Sequence, residues 1–322
     1  MSCVWWGRVR LVGGLTVLGV LLRQVGTGPF LDGLRLVDAG TLVAGAALAV
    51  PVTICCAQRW RLVARGLGVS IGLPAAVAAC YRSQFLNTVL PGGVLGDVDR
   101  GVRHGRDSGD LARGVRAVVW ERLAGQLVQV AMTLVVLLLV PSPFGAVLTA
   151  PTVSLVLLVL PVLAGALVLR LSTRFRGSAL VRALHRDLRD GPLSRKAWPG
   201  VAVTSFVAVA GHVATFLVAA TTAGATAPLV RLLPLALLVL LAMALPLNVA
   251  GWGPREGAAA WAFAAAGLGA GLGVTTGVVY GVMVLVAGLP GAGVLIVGSL
   301  RPGVAGQPAA PPATAGQGVD RG

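Results

Sequence analysis

The chain has 322 residues, of which 56% are apolar and 11% charged, with a mean hydropathy of +0.88 and a formal net charge of +15. A soluble domain carries about a quarter charged residues, so an ordinary soluble fold is excluded and an all-α polytopic membrane protein is predicted, its spans satisfying their own backbone groups as helices of ~20 residues. The positive balance does not point to nucleic acid, because the arginines cluster in loops between apolar runs.

In chain order, Arg8 and Arg10 precede the apolar run Leu11 to Leu22. A signal peptide begins the same way, but no small-x-small cleavage site follows and further spans do, so a retained first helix over 9–25 is expected. Full spans are predicted at 37–57, 117–140, 151–169, 199–222 and 273–299. Between them lie two segments, 74–96 and 229–270, interrupted by glycine and proline. The first is too short for two crossings; the second is either two crossings or one deep hairpin. The prediction is therefore about six full transmembrane helices plus two broken or re-entrant segments, or eight spans if the second segment crosses fully. Residues 301–322, rich in Pro, Ala, Gly and Gln without periodicity, read as a disordered tail behind a membrane domain over 1–300.

The interrupted segments share a frame. Leu90-Pro91-Gly92-Gly93-Val94-Leu95-Gly96-Asp97-Val98-Asp99-Arg100 returns 155 residues later as Leu245-Pro246-Leu247-Asn248-Val249-Ala250-Gly251-Trp252-Gly253-Pro254-Arg255, with Leu, Pro, Val, Gly and Arg at identical offsets. The flanking apolar segments superpose at the same shift, which divides the chain into related halves of about 9–140 and 151–299. Charge sets the orientation: with a cytoplasmic N-terminus, 20 of the 26 basic residues fall on the cytoplasmic side, and Arg23, Arg35 and Arg231 lie towards the outside. This bias predicts a multi-pass cell-membrane protein with both termini cytoplasmic. Each half then holds three full crossings, an odd number, so the halves are inverted repeats, an arrangement in which transporters place a site near the midplane. The loop over 170–198 carries Leu180, Val181, Leu184 and Leu188 at helical spacing opposite Arg182, Arg186 and Arg189. It reads equally as an interfacial helix on anionic headgroups or as a topogenic basic loop.

An ionised side chain at bilayer depth is costly, so it faces a cavity or a partner. Three places carry such residues: Arg82 and Asn87 with the first motif through Asp97, Asp99 and Arg100; Glu121-Arg122 at the start of a span; and Asn248 with Arg255-Glu256. Asp97 or Glu121 is positioned in sequence to neutralise Arg122 or Arg255. Gly92, Gly93 and Gly251 break helices and bare backbone N–H groups that attract phosphate. Asn87, Gly92, Gly93, Asp97, Arg100, Glu121, Arg122, Asn248, Gly251, Arg255 and Glu256 are the candidate substrate-binding set. A bland reading stands beside it, in which the charges only hold the broken segments together and the glycines are hinges. Cys3, Cys55, Cys56 and Cys80 form no CxxC pair or disulfide framework. His104, His185 and His212 are too scattered for a metal, and no nucleophile, Walker or dinucleotide motif is present. No cofactor and no enzymatic activity is expected.

Gln84-Phe85-Leu86-Asn87-x-x-Leu90-Pro91-Gly92-Gly93-x-x-Gly96-Asp97-x-x-Arg100 resembles the lysylphosphatidylglycerol synthase/flippase-like transmembrane family. Glu121-Arg122-Leu123-x-Gly125, Leu245-Pro246…Gly251-x-Gly253-x-Arg255-Glu256-Gly257 and the upstream Arg59-Trp60-Arg61-Leu62-x-x-x-Gly66 also fit its pattern. The resemblance implies a membrane domain that moves an anionic phospholipid or a polyprenyl-phosphate-linked intermediate between leaflets, with lipid- or glycan-modifying enzymes as possible partners. It does not carry over aminoacyl transfer, which belongs to a separate cytosolic domain. In that setting Arg100, Arg122 and Arg255 contact phosphate, while Asp97, Glu121 and Glu256 hold those arginines in its absence. The rival readings are a small-molecule or ion-coupled secondary transporter with Asp97 or Glu121 as proton site, and a non-transporting subunit of a lipid or glycan enzyme.

Overall fold

Caps and prolines in the sequence mark where the helices start. In this computed structural model, which describes residues 23–90, 93–140, 186–244 and 253–300 together with Gly19, α1 spans Gly28–Leu36 and α2 spans Ala39–Gly66. Next come α3 (Leu73–Val89), α4 (Leu95–Asp107) and α5 (Leu111–Leu139). The second half contributes α6 (Trp198–Thr222), α7 (Leu229–Met243), α8 (Pro254–Ala265), α9 (Ala270–Ala287) and α10 (Leu289–Leu300). Asp38 and Asp110 cap α2 and α5, each carboxylate accepting a backbone N–H three residues on, from Thr41 and Arg113 at 2.7 and 2.9 Å. Pro29, Pro74, Pro199 and Pro254 lie in the first turns of α1, α3, α6 and α8, where a missing N–H costs nothing. No strand occurs among the described residues.

Among the described residues, four helical stretches are long and apolar enough to cross a membrane: Ala39–Gly66, Leu111–Leu139, Trp198–Thr222 and Ala270–Leu300. The last is α9 and α10 in succession, divided at Gly288. The molecule is thus an all-α, multi-span membrane fold. Expectation and structure coincide closely at 199–222, but α2 runs nine residues beyond the predicted end at 57 and α5 starts six before 117. Both extensions carry arginines, which the sequence reading took as loop markers. The predicted spans at 151–169 and over most of 9–25, the start of the basic loop at 170–185 and the tail at 301–322 lie outside the described residues; 186–190 is helical.

Small residues set how closely the helices approach. α2 and α6 run antiparallel, with the Thr41 and Thr222 hydroxyls 3.1 Å apart at one end and Gly200 against Leu62 at the other. Gly105 and Gly114 bring α4 and α5 to backbone contact, and Gly273 does the same for α8 and α9. Interfaces of this kind pack by close backbone approach, because lipid offers no hydrophobic drive between helices.

The two halves share an order: a pair of short helices (α3/α4, α7/α8) followed by a long helical stretch (α5, α9/α10). Two apolar clusters form most of the core. Trp60, Val63 and Ala64 of α2 pack with Ala76 of α3 and Ala117 and Val118 of α5. Phe216 of α6 packs with Leu235 and Leu240 of α7, Phe263 of α8 and Tyr280 of α9. Polar side chains gather at the seam between the clusters.

Candidate functional site

The site begins with the α3/α4 hairpin. Gly93 adopts φ +62° in the turn, a left-handed conformation that favours glycine. Gly96 leaves no room for a side chain against the Ser83 backbone, so α4 returns tightly along α3. Asn87 latches the turn: its carbonyl oxygen accepts the Gly96 N–H at 2.8 Å, and its amide donates to Asp97 at 2.9 Å. Ser83 Oγ donates to the other Asp97 oxygen at 2.9 Å. Farther along the hairpin Arg82 pairs with Asp99.

Asp97 and Glu121 are then shared among three arginines from three helices. Glu121, on α5 and 1% exposed, accepts Arg59 Nε at 2.8 Å through one oxygen and Arg100 Nη2 at 2.7 Å through the other. Arg59 also donates to Ser205 Oγ of α6 at 3.2 Å. Its guanidinium lies over Gly125, where a Cβ would sit 2.9 Å from the guanidinium carbon. Arg100 further donates to Asp97 at 3.2 Å and to Cys80 Sγ at 3.1 Å, and its guanidinium stacks 4.7 Å from the Trp60 ring centre. Arg122 pairs with the Asp97 oxygen that also accepts the Asn87 amide. Its side chain is 47% exposed, against 4% for Arg100 and 8% for Arg59, so it is the one network arginine reaching out of the packed interior.

The second half supplies a pair of sequence neighbours, Arg255 and Glu256. Glu256 is fully buried, accepts the Gly253 N–H at 2.7 Å at the start of α8, and accepts Arg255 Nε at 2.8 Å. Arg255 lies over Gly281 of α9 and 5.9 Å from the Tyr280 ring centre.

These groups enclose a cavity of about 260 Å³ between the halves. Of the candidate residues, Asn87, Gly93, Asp97, Arg100, Glu121, Arg122 and Arg255 line it, while Glu256 stands behind Arg255. Gly92, Asn248 and Gly251 lie outside the described residues. Among the described residues, four guanidiniums (Arg59, Arg100, Arg122, Arg255) therefore meet three carboxylates (Asp97, Glu121, Glu256), an excess of one positive charge. Asp320 is the one acidic residue of the chain outside the described residues. No cluster of potential metal ligands occurs among the described residues. Arg59 is the wall residue that charge placement missed, since a basic residue after an apolar run reads as the end of a span. The signal was present in Val52, Cys56, Arg59, Trp60 and Val63, whose helical spacing continues past the predicted boundary.

A second cavity of about 510 Å³ adjoins the first and shares Gly93, Asp97, Arg122, His212 and Met243 with it. Its remaining wall is mainly apolar, with Val98 of α4, Val115, Val119 and Leu123 of α5 and Leu240 of α7, and includes Gln126 and Gln129. The Asp97–Arg122 pair stands at the junction of a polar chamber and an apolar groove.

Residues 5–291 match the family described as Lysylphosphatidylglycerol synthase TM region, and the chain belongs to that family. The match is to the family's membrane region. No curated protein and no solved structure matches the chain.

Proposed function

We propose that this protein moves an anionic phospholipid or lipid-linked intermediate between leaflets, its phosphate headgroup entering the central cavity while its chains stay in the apolar groove and the surrounding lipid. The excess positive charge of the cavity wall carries this reading. A net charge held at membrane depth is costly unless a counter-charge joins it, and a phosphodiester supplies one.

Arg122 is the group that meets it. A phosphate arriving along the groove competes with Asp97 for the guanidinium, whose planar donors fit two phosphate oxygens at once. Asp97 then keeps Ser83, Asn87 and Arg100 as donors, so the exchange leaves no carboxylate without partners. Arg100 and Arg59 stay clamped on Glu121 and provide fixed positive potential. The rival proton-coupled reading fits this network less well. Glu121 already receives two guanidiniums, and protonation there would displace both.

The same proposal includes about six full crossings with two re-entrant hairpins, inverted halves and cytoplasmic termini. In support, α4 and α8 have 13 and 12 residues. At 1.5 Å per residue these arms reach only ~20 and ~18 Å, short of a hydrocarbon core of about 30 Å. Cysteines placed at positions 106 and 186 should label from the cytoplasmic face, and those at 145 and 225 from the outer one. Labelling of 106 and 186 from opposite faces would end the inverted-repeat account.

The function is tested in vesicles of neutral lipid containing the purified protein and a fluorescent phosphatidylglycerol, with a reducing quencher outside. Loss of signal from inner-leaflet probe, faster than for the matching phosphatidylcholine, is expected. Equal protection of the inner-leaflet probe in vesicles with and without protein would refute it.

A further inference from the structure

α5 carries a second set of polar groups that the ionic site does not use. Arg122, Gln126 and Gln129 are spaced four and three residues apart, so they share one face of the helix. All three line the apolar groove. Both glutamines are half-buried within a 29-residue helix long and apolar enough to cross a membrane. Their carboxamides have no hydrogen-bond partner among the described residues, whereas Asp97, Arg100, Glu121 and Arg122 are all engaged.

An amide without a partner is unfavourable in hydrocarbon. Two of them, a turn apart on one face of a groove, require something polar opposite. The groove leads from the cavity whose excess charge takes the headgroup. Glutamine suits a moving phosphate ester: its NH2 donates to phosphate oxygen and its carbonyl accepts from a headgroup hydroxyl. It adds no charge that would trap the ligand.

Resting on the function proposed above, we infer that Gln126 and Gln129 are a binding station on the translocation path, receiving the headgroup phosphate from Arg122 along α5. The chains lie against Val119 and Leu123 beside the glutamines and Leu240 of α7 across the groove. Seven residues of helix carry the phosphate ~10 Å, about a third of the hydrocarbon thickness.

The test is the double variant Gln126→Leu/Gln129→Leu in the vesicle assay with fluorescent phosphatidylglycerol. Thermal stability and phosphatidylglycerol binding are measured in parallel in detergent. Translocation should fall about ten-fold or more, the scale of one lost hydrogen bond to a charged group. Binding should persist, because the ionic site is intact, and stability should hold or rise, because leucine suits an apolar wall. Wild-type translocation by a stable leucine variant overturns the inference. If the leucine variant is unstable, Gln126→Asn/Gln129→Asn decides: recovery of translocation supports the path, and a rate as low as that of the leucine variant overturns it. A wild-type protein that moves no lipid defeats the function itself, a separate result.

Discussion

Arg100 and Arg255 occupy the same offset in the two copies of the repeated motif, and both are 5% exposed, yet they are neutralised in opposite ways. Arg255 is held by its sequence neighbour Glu256, which also caps α8, so one helix carries both charges. Arg100 is held by Glu121 on another helix, and that carboxylate also binds Arg59 from a third. The shared network ends in the half-exposed Arg122, whose partner Asp97 keeps other donors when Arg122 leaves. One arrangement lies within a single helix and the other is shared among several.

Removing Glu121 should give the largest effect. Glu121→Gln strands two buried guanidiniums, and breaking buried pairs costs about 3–5 kcal/mol, read as a fall in the thermal midpoint of the purified protein. Adding Arg59→Gln should restore part of that loss, because Arg100 keeps only Asp97 and still lacks the closer Glu121 carboxylate. Glu256→Gln should cost towards the lower end, about 3 kcal/mol, and Arg255→Gln/Glu256→Gln should restore most of it. Equal recovery by the two double variants would erase the distinction between the halves.

Much of this contrast could be read from the chain itself. The repeat at 155 residues, the interrupted segments and the residues Asp97, Arg100, Glu121, Arg122 and Arg255 stand out because charge is scarce among apolar runs. The bounds of α6 were legible because no arginine falls within it. Charge rules failed where an arginine is buried: Arg59 looks the same in sequence whether it ends a span or turns inward on one. The choice of partner was equally hidden. Asp97, Glu121 and Glu256 were all eligible for Arg122, and only the fold of α4 against α5 brings Asp97 to it. Gln126 and Gln129 were overlooked because a neutral amide in a long apolar helix breaks no pattern.

Smaller effects sharpen the comparison. Arg122→Lys should change stability by no more than ~1 kcal/mol, as for a partly exposed pair, yet slow translocation strongly, because lysine lacks the two-pronged planar donor geometry. Arg255→Lys should show the reverse balance, a larger stability loss than its effect on rate. Asp110→Ala, which removes the cap of α5, should cost about 1 kcal/mol and leave translocation per folded molecule unchanged. A marked drop in rate there would mean that the site responds to any loosening of α5.

The central claim is that Arg122 meets phosphate rather than merely neutralising Asp97, and the variant Asp97→Asn/Arg122→Gln tests it most directly. Both charges of the pair are gone, so no carboxylate or guanidinium of the pair is left stranded, and the wall keeps its overall excess of one positive charge. Phosphatidylglycerol translocation is measured in vesicles at matched amounts of folded protein, beside Arg122→Gln alone. The account predicts that the double variant regains any thermal stability lost in the single one but remains slow. Full recovery of translocation in the double variant would contradict it.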